Sequence, residues 1–170
     1  MNKIGLFYAF HTEETAHVAE RIAQVVGKDN LDVINAEELT EEQFLRYDNC
    51  IVGVATWWDG ELPNYWDEFV PAIEDMNLEG KKMAVFGLGD QDCYGENFND
   101  GVGIMADLLK ERGATIVGYT SASDYDFEHS EALKEGNQFC GLCLDEVNQP
   151  EKSETRIQNW VSQLKKDFLL

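Results

Sequence analysis

The stretch "IGLFYAFHTEETAHVAERIAQVV", residues 4–26, decides the architecture. Ile4 to Tyr8 is an apolar run of strand length, and a polar loop follows it. Val18, Ala19, Ile22, Ala23 and Val26 then recur at the spacing that puts them on one face of a helix. A buried strand leading into an amphipathic helix is the repeating unit of a parallel sheet. Apolar strand-length runs return at Leu31 to Ile34, Cys50 to Ala55, Met83 to Leu88 and Thr115 to Gly118, with a continuation at Gly141 to Leu144. Helical stripes return at Ile104, Met105, Leu108 and Leu109, and at Ile157, Trp160, Val161, Leu164 and Phe168, while the segment around Tyr65 to Met76 is less regular. Strands apolar along their whole length need cover on both faces. The fold predicted is therefore α/β, a doubly wound five-stranded parallel sheet in the order 2-1-3-4-5 with helices on both faces. Residues 119–139 are polar, dotted with aromatics and weakly periodic, which predicts a long insertion interrupting the last strand. One domain covering residues 1–170 is the expectation.

Charge narrows the partners. Thirteen basic against 33 acidic residues give a net charge of -20, which opposes nucleic acid and anionic lipid and favours a basic protein face or a cation. MNKIGLFYAF has none of the features of a signal peptide, and no apolar run reaches the ~18 residues of a membrane span, so a cytoplasmic protein without membrane insertion is expected. Four cysteines are too few for a disulfide scaffold. Cys140 and Cys143 have redox or zinc spacing, but they lie in the strand-like run FCGLCLD, where residues three apart point to opposite faces. They read as small apolar strand residues. The spacing of His11, His17 and His129 does not suit a metal, although His11 lies in the first loop.

Ligands of an open parallel sheet bind beyond the carboxyl ends of the strands, where the winding reverses. Strands 1, 3 and 4 are neighbours in this order, so the loops AFHTEET at 9–15, TWWDGELPN at 56–64 and GLGDQDCYGENFND at 87–100 converge there. Trp57 and Trp58 on one loop, with Tyr94 and Phe98 on the next, suit a flat conjugated ligand, each ring covering one face. The same aromatics would also serve as a lid over the core. Thr12, Thr15 and Thr56 add hydroxyls to the free amides of the first helix, an anion site needing no Lys or Arg. The chain has no GxGxxG after its first strand, no GxxxxGK[ST] and no GxSxG, which argues against a Rossmann site, a Walker loop and a nucleophile elbow.

At these residues the chain resembles a long-chain flavodoxin. The likeness runs through KIGLFY, the TW and following GEL at 56–62, GLGDQDCYGENFND, VGYTSASDYDF at 117–127, LDE at 144–146 and RIQNWVSQLKKDF at 156–168. The insertion at 119–139 is what separates long-chain members from short ones. The resemblance implies noncovalent FMN and single-electron transfer between a reductase or photosystem and acceptor enzymes, with basic-surfaced partners and a monomeric carrier. It implies that Trp57 and Tyr94 stack on the flavin, that Thr56 meets the phosphate, and that the backbone around Trp58, Asp59 and Gly60 and from Asp90 to Tyr94 holds the ring edges, with Gly89, Asn97 and Phe98 also among the cofactor-binding residues. Asp59 is expected to take an unusual φ that glycine adopts more cheaply, which limits how far the half-reduced cofactor is favoured.

The first loop departs from the family's approximate G-T-x-T-G-x-T. Here it reads Ala9, Phe10, His11, Thr12, Glu13, Glu14, Thr15, so Phe10 replaces a hydroxyl and Glu13 a glycine. A carboxylate about 5 Å from a phosphate costs on the order of 1–3 kcal/mol, and a lost charged hydrogen bond about 1.5–3 kcal/mol more. Acidic residues in a helix's first turn are also favoured by its dipole, and both side chains would then point into water. Three functions follow: an FMN electron carrier, which is not an enzyme; a module with an impaired phosphate site that binds riboflavin, another flat ligand or only a protein; and a flavin-dependent quinone or nitro reductase. The last lacks a recognisable proton donor or nicotinamide motif.

Overall fold

The computed structural model describes residues 2–170. In chain order the elements are β1 (Ile4–Tyr8), α1 (Glu13–Val26), β2 (Leu31–Asn35), α2 (Glu41–Leu45), β3 (Asn49–Gly53), α3 (Asn64–Asp67), α4 (Val70–Glu74), β4 (Lys82–Leu88), α5 (Asp100–Glu111), β5 (Thr115–Ile116), β6 (Thr120–Ser121), β7 (Leu133–Lys134), β8 (Gln138–Phe139), β9 (Leu142–Leu144) and α6 (Pro150–Asp167). The main sheet runs β2-β1-β3-β4-β5 and is parallel throughout. β9 also pairs with β4, Phe86 opposite Leu142, beyond the end where β5 pairs Lys82 with Thr115. β5 and β9 are thus two halves of one strand position, and the insertion lies between them as the sequence predicts. The residues between them also form a sheet of their own, antiparallel in the order β6-β8-β7.

Alternation along the strands sorts side chains into two cores. Leu6, Ile51, Ala84 and Phe86 face one layer with Val18, Ile22, Ile157, Trp160 and Leu164 of α1 and α6. Phe7, Val52, Met83 and Val85 face the other with Phe44, Trp66, Ile73, Met105 and Leu109. The irregular stretch around Tyr65 to Met76 is two short helices, α3 and α4, with Pro71 in the first turn of α4, where its missing N–H disrupts no helical bond. Cys140 and Cys143 are buried in the same layer, not on opposite faces. Cys140 precedes β9 and its amide bonds to the Ala132 carbonyl in the insertion, so the two cysteines do not lie on one continuous strand.

Candidate functional site

The carboxyl ends of β1, β3 and β4 bring three loops to one edge of the sheet. A cleft of about 610 Å³ opens there, lined by Thr56, Trp57, Trp58, Asp59, Leu88, Gly89, Asp90, Tyr94 and Asn97. Its rim is aromatic: Trp58 is 80% and Tyr94 66% exposed, and neither ring packs on another aromatic of the described residues. Trp57 is half-buried and meets Tyr65 edge-on, ring centres 6.0 Å apart.

A tight hairpin shapes the first wall. Trp57 and Glu61 exchange backbone bonds of 2.9 and 2.7 Å around Trp58, Asp59 and Gly60. Gly60 has φ +87°, which favours glycine, and a Cβ there would lie 2.4 Å from Asp100 Oδ2 and 2.8 Å from Asn97 Oδ1, so any larger residue would also displace these two side chains. The unusual φ expected at Asp59 falls instead on Trp58, at +51°. A bulky side chain in that left-handed region costs about 1 kcal/mol, a strain localised at the mouth of the cleft. Thr56 Oγ1 accepts from the Gly101 amide at 2.9 Å and ties this loop to the start of α5, leaving its hydroxyl proton free to donate.

The opposite wall is built from two sides. Asp90 accepts from the amides of Asp92 and Cys93 at 3.1 and 2.9 Å and from Asn148 Nδ2 at 2.8 Å, bonds that hold its carboxyl below the usual range. Behind it, buried Asp145 accepts from Gln91 N and Nε2 at 3.0 and 2.8 Å, Val147 N at 3.1 Å, and Asn148 N and Nδ2 at 2.8 and 2.9 Å. Burial pushes the Asp145 carboxyl up, but these bonds outweigh it and the group is held low. The resemblance includes this residue only as part of LDE; the sequence carries no signal of the role, because the donors are backbone and side-chain amides, two from Gln91 in a distant loop and three from Val147 and Asn148 just after it.

Phe98 is the one aromatic wrongly placed in the cleft by its sequence position. It is fully buried and stacks on Phe127 with ring centres 5.4 Å apart and 19° between planes, with Tyr125 and Phe139 alongside. Its neighbour Asn97 lines the cleft instead. Gly95 O accepts from the amides of Glu128 and His129, both at 2.9 Å, and Phe98 N donates to His129 O at 3.2 Å. The insertion is therefore the platform beneath the Tyr94 loop.

The first loop does not line the ring-sized cleft. Phe10 is 48% exposed and packs at 5.1 Å on Tyr8, and its amide donates to Asn35 Oδ1 at 3.2 Å. His11 Nδ1 is in close contact with a Glu37 carboxylate oxygen. Thr12 precedes α1 at the capping position, yet its hydroxyl donates back to Ala9 O at 2.6 Å and caps nothing. Among the described residues the amides of His11, Glu13, Glu14 and Thr15 have no acceptor. Orphan amides at a helix start, with the positive end of the dipole behind them, suit a phosphate. Glu13 and Glu14 are exposed and line a separate depression with His17, Arg21 and Glu146, where Arg21 pairs with Glu146.

Two alternatives from the sequence have their residues elsewhere. Burial raises the Cys140 thiol to about 11 and holds the Cys143 thiol well above its ordinary value, so neither is a thiolate at neutral pH. Among the described residues no three His, Cys, Asp or Glu side chains stand together to hold a metal, and no helix is long and apolar enough to cross a membrane.

Comparison with known proteins settles the family. The flavodoxin family model matches residues 6–160. This chain belongs to the flavodoxin family. It is 38% identical over 166 residues to flavodoxin 1 of Escherichia coli K12, covering 98% of this chain and 94% of that one. The flavodoxin of Synechococcus elongatus is 41% identical over 172 residues, covering 99% of each. Among solved structures, Fusobacterium nucleatum flavodoxin bound to flavin mononucleotide superposes with a TM-score of 0.91 at 32% identity, covering 98% of this chain and 99% of that one.

Proposed function

We propose that this flavodoxin binds FMN noncovalently and carries single electrons between a reductase or photosystem and acceptor enzymes in the cytoplasm. The observation that carries this reading is the pairing of an aromatic-walled cleft with a neighbouring helix start whose amides are unpartnered. A planar ring with a phosphate tail needs both. Trp57 and Tyr94 would cover the ring faces, and Asn97, Asp90, Gly89 and the Trp58–Gly60 backbone would hold its edges. The Thr56 hydroxyl and the amides of residues 11 and 13–15 would take the phosphate, with Thr12 already committed to Ala9. When bound, the flavin supplies reversible one-electron chemistry.

The rest falls to the chain's own residues. Tyr94 and Trp58 leave one side of the cleft open to solvent, where a partner's redox centre can approach. Asp59, Glu61, Asp92 and Glu96 are exposed around it. Their charge disfavours further negative charge in the cleft, which lowers the potential, and attracts a basic face on the partner. The protein acts as a monomer in this reading. The test is reconstitution with FMN, followed by electron transfer from a flavodoxin reductase and NADPH to cytochrome c at increasing salt. Rates should fall as salt screens the acidic rim, with no NADPH turnover by the isolated protein. Reduction of quinones with NADPH by the protein alone would favour the reductase reading instead.

A further inference from the structure

A second cavity, of about 300 Å³, lies apart from the cleft. It opens between the start of the insertion, at Tyr119, Ser121 and Asp124, and the face of α6 that carries Arg156, Asn159 and Gln163. The Arg156 guanidinium carbon sits 4.1 Å from the centre of the Tyr125 ring. Its Nη1 and Nη2 are shielded from solvent, and no described residue accepts a hydrogen bond from either. The other three arginines all have acceptors: Arg21 on Glu146, Arg46 on Glu42 and Arg112 on the Glu74 carbonyl. In a chain with 33 acidic side chains, a guanidinium whose two shielded terminal nitrogens find no acceptor and rest only on an aromatic face has hydrogen-bonding capacity to spare. Asn159 and Gln163 lie three and seven residues further along the helix, on the same face. Their amides also make no hydrogen bond among the described residues.

We propose that this cavity binds a small oxyanion, the carboxylate or phosphate group of a free metabolite. A turn about the terminal bonds of Arg156 carries both Nη atoms off the Tyr125 ring and into the opening. The planar fork then meets two oxygens of the anion, the geometry in which guanidinium exceeds ammonium as a partner. Asn159 Nδ2 and Gln163 Nε2 complete the donor set. The volume is at the lower end of small-molecule sites, suited to inorganic phosphate or a short dicarboxylate. The site shares no lining residue with the ring cleft or with the first loop. Asp124 is the competitor, because its exposed carboxylate lines the same cavity.

The experiment is a ¹⁵N NMR titration of the full chain with inorganic phosphate and, separately, succinate, against sodium chloride at matched ionic strength. The Arg156 Nε–H and the side-chain amides of Asn159 and Gln163 are followed, so phosphate on the first-loop amides is seen separately. The proposal expects saturable shifts at these three groups, with affinity reduced at least tenfold in Arg156→Leu and also in the better tolerated Arg156→Lys. Asp124→Asn should bind the anion as tightly or more tightly. Saturation by phosphate, by succinate or by both supports the site and says which source of the group it accepts. Shifts that merely track ionic strength would overturn the proposal. So would an Arg156 signal that moves on Asp124→Asn and not on anion addition.

Discussion

Replacing Asp145 by alanine tests whether the wall carrying Tyr94 is held by one carboxylate. The side chain is fully buried and accepts five hydrogen bonds, two of them from Gln91, which is itself only 6% exposed. In the alanine variant both Gln91 donors lose their partner where water does not reach. At about 1–3 kcal/mol for each stranded buried donor, the loss is about 2–6 kcal/mol. Relief from keeping a carboxylate out of water offsets part of that, leaving about 3–4 kcal/mol, a large share of the ~5–15 kcal/mol of a typical domain. Urea unfolding of the apoprotein should show the midpoint falling with the slope unchanged, and FMN affinity should fall at least tenfold as the loop loses order. The pH dependence has a definite sign. The folded carboxyl is held below its ordinary value, so its stabilisation is complete above pH ~4 and is lost as pH falls through the lowered folded value. The alanine variant should lack that part of the acid sensitivity. A loss under about 1 kcal/mol with unchanged FMN affinity would refute the reasoning and leave the loop resting on the insertion alone.

Three further outcomes are expected. Phe98→Ala should destabilise the apoprotein by about 3–5 kcal/mol, as for a buried ring, while exposed Tyr94→Ala should leave stability nearly unchanged and weaken FMN; urea unfolding and fluorescence titration separate the two effects. Glu13→Gln and Glu14→Gln should tighten FMN by less than about tenfold each, because exposed carboxylates act on the phosphate through water; a hundredfold gain in the same titration would place a carboxylate against the phosphate. In the native protein a thiol reagent should modify only Cys93, slowly because Asp90 raises its pKa, with Cys50, Cys140 and Cys143 reacting after unfolding.

The legible part of the fold is the part with period. β1, β3 and β4 are continuous apolar runs, and α1 and α6 carry unbroken stripes, so burial could be read from spacing. β6, β7 and β8 have two residues each, too few to show any alternation, and their sheet forms through backbone pairing among residues 120–139. The same limit governs the site. Trp57 and Tyr94 stood out as aromatics in loops that must converge. Phe98 belonged to the same loop by sequence, but its burial depends on Phe127 and Phe139, supplied by the insertion. Asp145 was hidden because its partners are groups every residue or amide offers, and the positive φ moved from Asp59 to Trp58 because hairpin geometry chose the position. The first loop looked damaged in sequence since a hydroxyl and a glycine are replaced by Phe10 and Glu13; its unpartnered amides are backbone groups, which those side-chain changes do not remove.

The central claim is that this backbone still grips a phosphate, and parallel fluorescence titrations of the apoprotein with FMN and riboflavin test it most directly. Bonds from several amides and the Thr56 hydroxyl to a dianion, each worth about 1.5–3 kcal/mol, predict FMN tighter than riboflavin by at least a hundredfold. Equal affinities would contradict the account, leaving a ring cleft beside a helix start that holds no phosphate.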